Sequence, residues 1–313
     1  MILSSIIFLL GVCSLTFGAN MLVTHSSNIA THFSIRPFII GITIIAFGTS
    51  APELVVSLAA ALRGTTELAI GNVVGSNIAN IGLILGFTAI LSPMLVDESI
   101  LKKEVLIMVI AIALLYIQSF DGVISRFDGF TLLAGIVIFT WYCIWSHNSA
   151  NNGEKKKREK SEDLNKSVLL TIVGLVLLVV GAHYMVVNAV IIAKYLGISE
   201  LFIGITMVAI GTSLPELAAS TAAVIHQKGE MGIGNIVGSN IFNVFLVLGA
   251  VAAIKPIPVK KASLSFEFPV MLGFAVLLYI LGKMGKKFSR LDGAILLVLY
   301  ILFIVVLYNN LKA

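Results

Sequence analysis

Two glutamates, Glu53 and Glu216, stand in matching sentences of the chain. Gly48-Thr49-Ser50-Ala51-Pro52-Glu53 recurs as Gly211-Thr212-Ser213-Leu214-Pro215-Glu216, 163 positions later. Both copies lie inside apolar stretches long enough to cross a bilayer. A carboxylate at the centre of hydrocarbon costs about 3 kcal/mol or more, so each is a candidate functional group by its position. Around each carboxylate stand the hydroxyls of Thr49, Ser50, Thr212 and Ser213. Pro52 and Pro215 cannot donate a backbone hydrogen bond and free carbonyls one turn back, near Gly48 and Gly211. Such carbonyls are tolerated at membrane depth where they line a cavity or meet an ion. Carboxylate, hydroxyl and carbonyl oxygens together suit a hard cation such as Ca²⁺. No Cys–His cluster suggests zinc or copper.

A second doubled motif adds more oxygens. Gly71-Asn72-Val73-Val74-Gly75-Ser76-Asn77-Ile78-Ala79-Asn80 matches Gly234-Asn235-Ile236-Val237-Gly238-Ser239-Asn240-Ile241-Phe242-Asn243. The glycines permit close helix approach. Ser76, Asn80, Ser239 and Asn243 complete the oxygen cage, and Asn72, Asn77, Asn235 and Asn240 read as packing residues between helices. Every other acid lies in a loop or near a span end, including Glu104 and Glu267, and no Lys or Arg lies deep. The buried pair therefore needs mobile cations or protons. A purely local alternative is a capping box, since Ser50-x-x-Glu53 and Ser213-x-x-Glu216 fit Ser-x-x-Glu at a helix start. His25, His183, Asn20 and Asn188 read as packing groups on the first helix of each half.

The elements that must hold these groups follow from composition. The 313 residues are 58% apolar and 12% charged, with mean hydropathy +1.04, against about 25% charged in soluble domains. Windows of about 20 residues predict ten transmembrane helices, at 2–30, 36–62, 68–92, 103–119, 126–145, 167–195, 201–226, 232–254, 265–282 and 289–310. The fold class is an all-α membrane protein. A first five-helix repeat, 1–145, and a second, 167–313, flank a cytoplasmic linker, 146–166. The first apolar run has the same pattern as residues in mid-chain, Gly18-Ala19 matching Gly181-Ala182, and reads as a helix rather than a leader. Five spans per half invert the second half in the membrane, with broken helices meeting at a midplane ion site.

Lys and Arg counted at span ends favour both termini outside. The net charge of +5 reflects basic loops. The basic run 155–158 reads as a solvated linker, and nothing suggests nucleic acid or an obligate protein partner.

With these residues assembled, the chain resembles the cation/calcium exchanger superfamily, and the sodium/calcium exchangers in particular, in the branch of bacterial inner-membrane antiporters. The resemblance covers nearly the whole chain. It implies a core of the second, third, seventh and eighth helices, with the first and sixth sliding as a gating pair. It assigns cation binding to Thr49, Ser50, Glu53, Ser76, Asn80, Thr212, Ser213, Glu216, Ser239 and Asn243, and to the backbone carbonyls of Ala46 and Ala209. The transported ions are then Ca²⁺ and Na⁺, or H⁺ in proton-coupled relatives, with no cofactor and no catalysed reaction. One position departs from the pattern: Asn243 stands where such exchangers often carry Asp. The expected function is antiport of Ca²⁺ against Na⁺. The alternatives are a proton-coupled antiporter on the same fold and a passive cation channel.

Overall fold

A computed structural model describes residues 2–150, 163–197, 209–285 and 287–312. The basic run 155–158 and residues 201–208 of the seventh expected span lie outside the described residues. The described chain is almost wholly helical. We label the helices α1 (Ile2–His32), α2 (Pro37–Leu62), α3 (Glu67–Leu91), α4 (98–118), α5 (Arg126–Ala150), α6 (Leu164–Tyr195), α7 (209–225), α8 (Gly229–Ile254), α9 (Ser263–Gly285) and α10 (Arg290–Lys312). Eight of them are long and apolar enough to cross a membrane. The other two are α4, which starts in the charged stretch Glu98 to Glu104, and α7, whose described part is short.

The helix ends shift the expected linker. α5 continues to Ala150 and α6 begins at Leu164, where the Asp163 carboxylate caps it by accepting from the Asn165 N–H at 3.1 Å. A 20-residue hydropathy window does not see such polar extensions, because they leave hydrocarbon while remaining helical. α1 and α6, at 31 and 32 residues, are each roughly 47 Å long and exceed a hydrocarbon core of about 30 Å. They run against each other with glycines at the crossing. A methyl group on Gly18 would come within 2.5 Å of the Leu178 nitrogen, and one on Gly174 within 2.7 Å of the Leu22 nitrogen. Only glycine permits that backbone approach.

The most deeply buried helices are α3 and α8. α8 lies against the first part of α2 and against α7, and α3 against the second part of α2. The halves interlock at their rims: α5 packs on the end of α8 and α10 on the end of α3. Two strand pairs, absent from the sequence reading, join them further. β1 (Met94–Leu95) pairs antiparallel with β4 (Lys287–Phe288), and β2 (Val123–Ile124) with β3 (Ile257–Pro258). Two-residue strands carry no periodicity and leave no signature in a hydropathy profile.

Candidate functional site

Both Gly-Thr-Ser-x-Pro-Glu segments break their helices at the serine. Ser50 has φ −82° and ψ 1°, and Ser213 has φ −88° and ψ 4°. These bridge-region angles end one helical piece, and the prolines at 52 and 215 start the next, where a missing N–H is harmless. Glu53 and Glu216 therefore fall in the first turn of a new half-helix, at its positive dipole end. Neither serine caps that turn, so the capping-box alternative is not realised. The Ser50 hydroxyl instead crosses to the other half and donates to Glu216 Oε1 at 3.3 Å.

Both carboxylates are fully buried and close enough to feel each other's charge. Among the described residues, no Lys or Arg pairs with either; ion pairs such as Arg36–Asp97, Lys102–Glu98 and Lys260–Glu67 are exposed. Both oxygens of Glu53 and the Oε2 of Glu216 lack a hydrogen-bond partner among the described residues. A buried carboxylate left this way is strongly destabilised unless a cation or proton meets it. No group of three or more His, Cys, Asp or Glu gathers among the described residues.

The structure brings some of the expected oxygens together across the two halves. Thr49, Ser50, Ser76, Asn80, Ser213, Ser239 and Asn243 are buried, and Thr212 is half-buried. Thr49 and Ser239 hydroxyls lie 3.4 Å apart, as do those of Ser76 and Thr212. Each pair joins the two halves. Asn80 and Asn243 each open a π-helical stretch, Asn80–Leu85 and Asn243–Leu248. These wider turns, common at functional sites, were not foreseen, because nothing in the side-chain order distinguishes a π-turn from an α-turn. The Asn243 amide donates to Asn77 Oδ1 at 3.1 Å, leaving its own Oδ1 without a partner, while both side-chain atoms of Asn80 lack one among the described residues. The Ala46 carbonyl accepts from the Ser50 N–H at 3.0 Å and lies 3.4 Å from the Thr49 hydroxyl oxygen. Ala209 opens the described part of α7 in the equivalent place.

Some readings change. Glu104 is buried at 7% exposure and accepts from the Tyr142 hydroxyl at 3.3 Å. It stays near the start of α4, which begins at 98, five residues before the expected 103, and α5 covers it there. Glu267, its counterpart, is half-buried. Asn240 links the halves through its backbone carbonyl, which accepts from the Asn77 amide at 3.4 Å, while its side chain has no partner among the described residues. Asn20 pairs with His226 across to α7 at 3.1 Å, and Asn188 donates within α6 to the Tyr184 carbonyl at 2.8 Å, as packing groups do. An apolar groove of about 340 Å³ between α9 and α10, lined by Phe266, Phe274 and Phe303 among others, has none of the oxygens a cation needs.

The chain is similar to known proteins over nearly its whole length. The family model described as "Sodium/calcium exchanger protein" matches residues 3–145 and 166–309. The sodium/calcium exchanger MaX1 of Methanosarcina acetivorans is 34% identical over 97% of this chain and 98% of its own. Inner membrane protein YrbG of Escherichia coli is 34% identical over 98% of each. A solved structure of the sodium-calcium exchanger NCX_Mj, soaked with zero Na⁺ and Ca²⁺, superposes with a TM-score of 0.86 at 36% identity, covering 98% of this chain and 99% of that one.

Proposed function

The chain belongs to the sodium/calcium exchanger protein family, and from that premise we propose that it exchanges Ca²⁺ for Na⁺ through a single midplane site opened alternately to either side. It is an integral, multi-pass membrane protein and an exchanger-type antiporter, not an enzyme. The observation that carries the proposal is the pair Glu53 and Glu216: buried, mutually repelling, and without a basic partner among the described residues. Empty, such a site holds two uncompensated charges and resists crossing a low-dielectric barrier. Filled by Ca²⁺ or by monovalent cations, it is neutralised and free to reorient. Competition for the same carboxylates then enforces exchange.

The ligand set is Glu53, Glu216, the hydroxyls of Thr49, Ser50, Ser76, Thr212, Ser213 and Ser239, the amide oxygens of Asn80 and Asn243, and the carbonyls of Ala46 and Ala209. Two negative charges balance one Ca²⁺, two Na⁺ or two H⁺. With Asn at both 80 and 243, a third Na⁺ would add an excess charge, so the stoichiometry is one Ca²⁺ for about two monovalent cations. The architecture is two inverted five-helix repeats, 1–145 and 167–313, in a cell inner membrane with both termini outside. α1 and α6 slide as a pair, and the close backbone approach at their glycines supports that role.

The test is ⁴⁵Ca²⁺ uptake into proteoliposomes with Na⁺, K⁺ and pH gradients imposed one at a time. Uptake driven by an outward Na⁺ gradient at equal pH is the expected result. Uptake driven only by a pH gradient would transfer the site to proton coupling, which buried carboxylates also support. Uptake without any counter-ion would make it a channel.

A further inference from the structure

The hydrogen bonds of Asn72 and Asn235 repeat atom for atom. Asn72 on α3 donates to the Glu53 carbonyl at 3.3 Å and to Ser57 Oγ at 3.0 Å. Its Oδ1 accepts from the Thr212 hydroxyl at 3.2 Å. Asn235 on α8 donates to the Glu216 carbonyl at 3.4 Å and to Ser220 Oγ at 2.9 Å. Its Oδ1 accepts from the Thr49 hydroxyl at 3.1 Å. Both side chains are buried. Helix packing accounts for the donor half of each pattern. It does not account for the acceptor half, which reaches into the opposite repeat and ends on a hydroxyl beside the carboxylates.

The direction of each bond is fixed by chemistry. A backbone carbonyl only accepts, so the amide NH₂ must face the glutamate main chain and Oδ1 must face the threonine. Oδ1 also only accepts, and it is the nearest hydrogen-bond partner of each hydroxyl, at 3.1 Å for Thr49 against 3.4 Å to the Ala46 carbonyl and to Ser239 Oγ, and at 3.2 Å for Thr212 against 3.4 Å to Ser76 Oγ, so the single hydroxyl hydrogen is directed at it. A hydroxyl whose hydrogen points away offers lone pairs on its other side, the form in which it ligates a hard cation. Left free to rotate beside a carboxylate, the same hydroxyl would donate to that carboxylate and turn its hydrogen toward the ion.

We propose that Asn72 and Asn235 are positioning residues. Each holds the threonine hydroxyl of the opposite repeat as an oxygen donor to the cation, and ties it to the main chain of its own repeat's glutamate. Asn72 serves Thr212 and Asn235 serves Thr49. This rests on Glu53 and Glu216 forming a cation site, and it adds two residues that never touch the ion.

The test is a set of double-mutant cycles on the purified full-length protein in detergent. Na⁺ and Ca²⁺ affinities are read from cation-induced shifts in thermal unfolding, with Na⁺-driven ⁴⁵Ca²⁺ uptake in parallel. Asn235→Ala is expected to weaken cation affinity about tenfold, the effect of one lost directed hydrogen bond. Adding Thr49→Val should then cost little more, because that hydroxyl is already misdirected. Adding Thr212→Val should cost its full single-variant amount. Asn72→Ala should give the mirror pattern. Additive effects in every pair, or coupling of Asn72 with Thr49 rather than Thr212, would overturn the assignment while the cation site stands. Should an alanine variant not fold, the threonines alone decide. Serine lacks the methyl that restricts rotation, so affinity within about twofold of wild type in Thr49→Ser, against a tenfold loss in Thr49→Val, means the amide holds the hydroxyl. Equal losses in both sink the proposal. A wild-type protein that binds neither Na⁺ nor Ca²⁺ would instead bring down the site itself.

Discussion

Glu53 and Glu216 stand in equivalent sentences, at equivalent helix breaks, yet they are held differently. Glu216 accepts a hydrogen bond from Ser50. Glu53 is approached by the Thr212 and Ser76 hydroxyls, but none among the described residues reaches its oxygens in hydrogen-bond geometry, and the hydroxyl of Ser213, the counterpart of Ser50, lacks a partner there. The same imbalance runs through the neighbours. Thr49 is buried and Thr212 half-buried; Asn243 donates to Asn77, while the amides of Asn80 and Asn240 have no partner among the described residues. Backbone angles at the two breaks agree within a few degrees, so the difference lies in how the halves meet rather than in how either folds. Two inverted repeats meeting in perfect symmetry would present both sides of a membrane alike. In the proposed alternating-access cycle, a site open to one side at a time needs halves that differ, and the differences here fall on the proposed ligands.

The largest effects should come from removing the charges being compared. Glu53→Gln and Glu216→Gln should each reduce Na⁺-driven ⁴⁵Ca²⁺ uptake about a hundredfold or more, since Ca²⁺ affinity follows ligand charge, while the variants still elute as folded protein by size-exclusion chromatography. Robust uptake by either would mean the two positions are not one site.

Adding a charge sharpens the same contrast. Asn80→Asp and Asn243→Asp each place a third carboxylate in the cage, and the Ca²⁺ flux, measured under a K⁺–valinomycin clamp, should become more voltage-dependent. Only Asn243→Asp also loses a hydrogen bond, so it alone should lower the unfolding temperature clearly in the absence of cations. Serine variants probe the comparison more finely. Ser50→Ala removes a bond to a carboxylate and should cost about 2 kcal/mol in thermal unfolding without cations; Ser213→Ala, with no such bond to lose, should cost about 0.5 kcal/mol or less. Equal costs would erase the asymmetry.

The smallest effect should come from the rim. The exposed Lys260–Glu67 pair raises the lysine pKa through the carboxylate beside it. A raised pKa means that its stabilisation is present below the lysine's ordinary titration range and is lost as pH climbs through the raised value. Screening by water and salt keeps exposed pairs weak. Lys260→Ala should therefore leave the unfolding temperature near pH 7 within error of wild type.

Much of this was legible in one chain. Composition fixed the solvent, because so few charges cannot cover a soluble surface. The doubled motifs marked the break, the proline and the buried acid, because each rests on residues within one helical turn. The spacing of apolar windows placed seven of the ten helices to within three residues, at both ends, of where they are described. What the order of residues left open is pairing across distance. A duplicated sequence offers every contact twice: Asn72 has a threonine available in each repeat, and Ser50 has two glutamates. Local propensity is identical for both choices, so only the packing of α2, α3, α7 and α8 selects Thr212 for the one and Glu216 for the other. The π-turns at Asn80 and Asn243, the short strand pairs and the burial of Glu104 belong to the same class. Each depends on which surface covers a residue, and that is settled by neighbours far away in the chain.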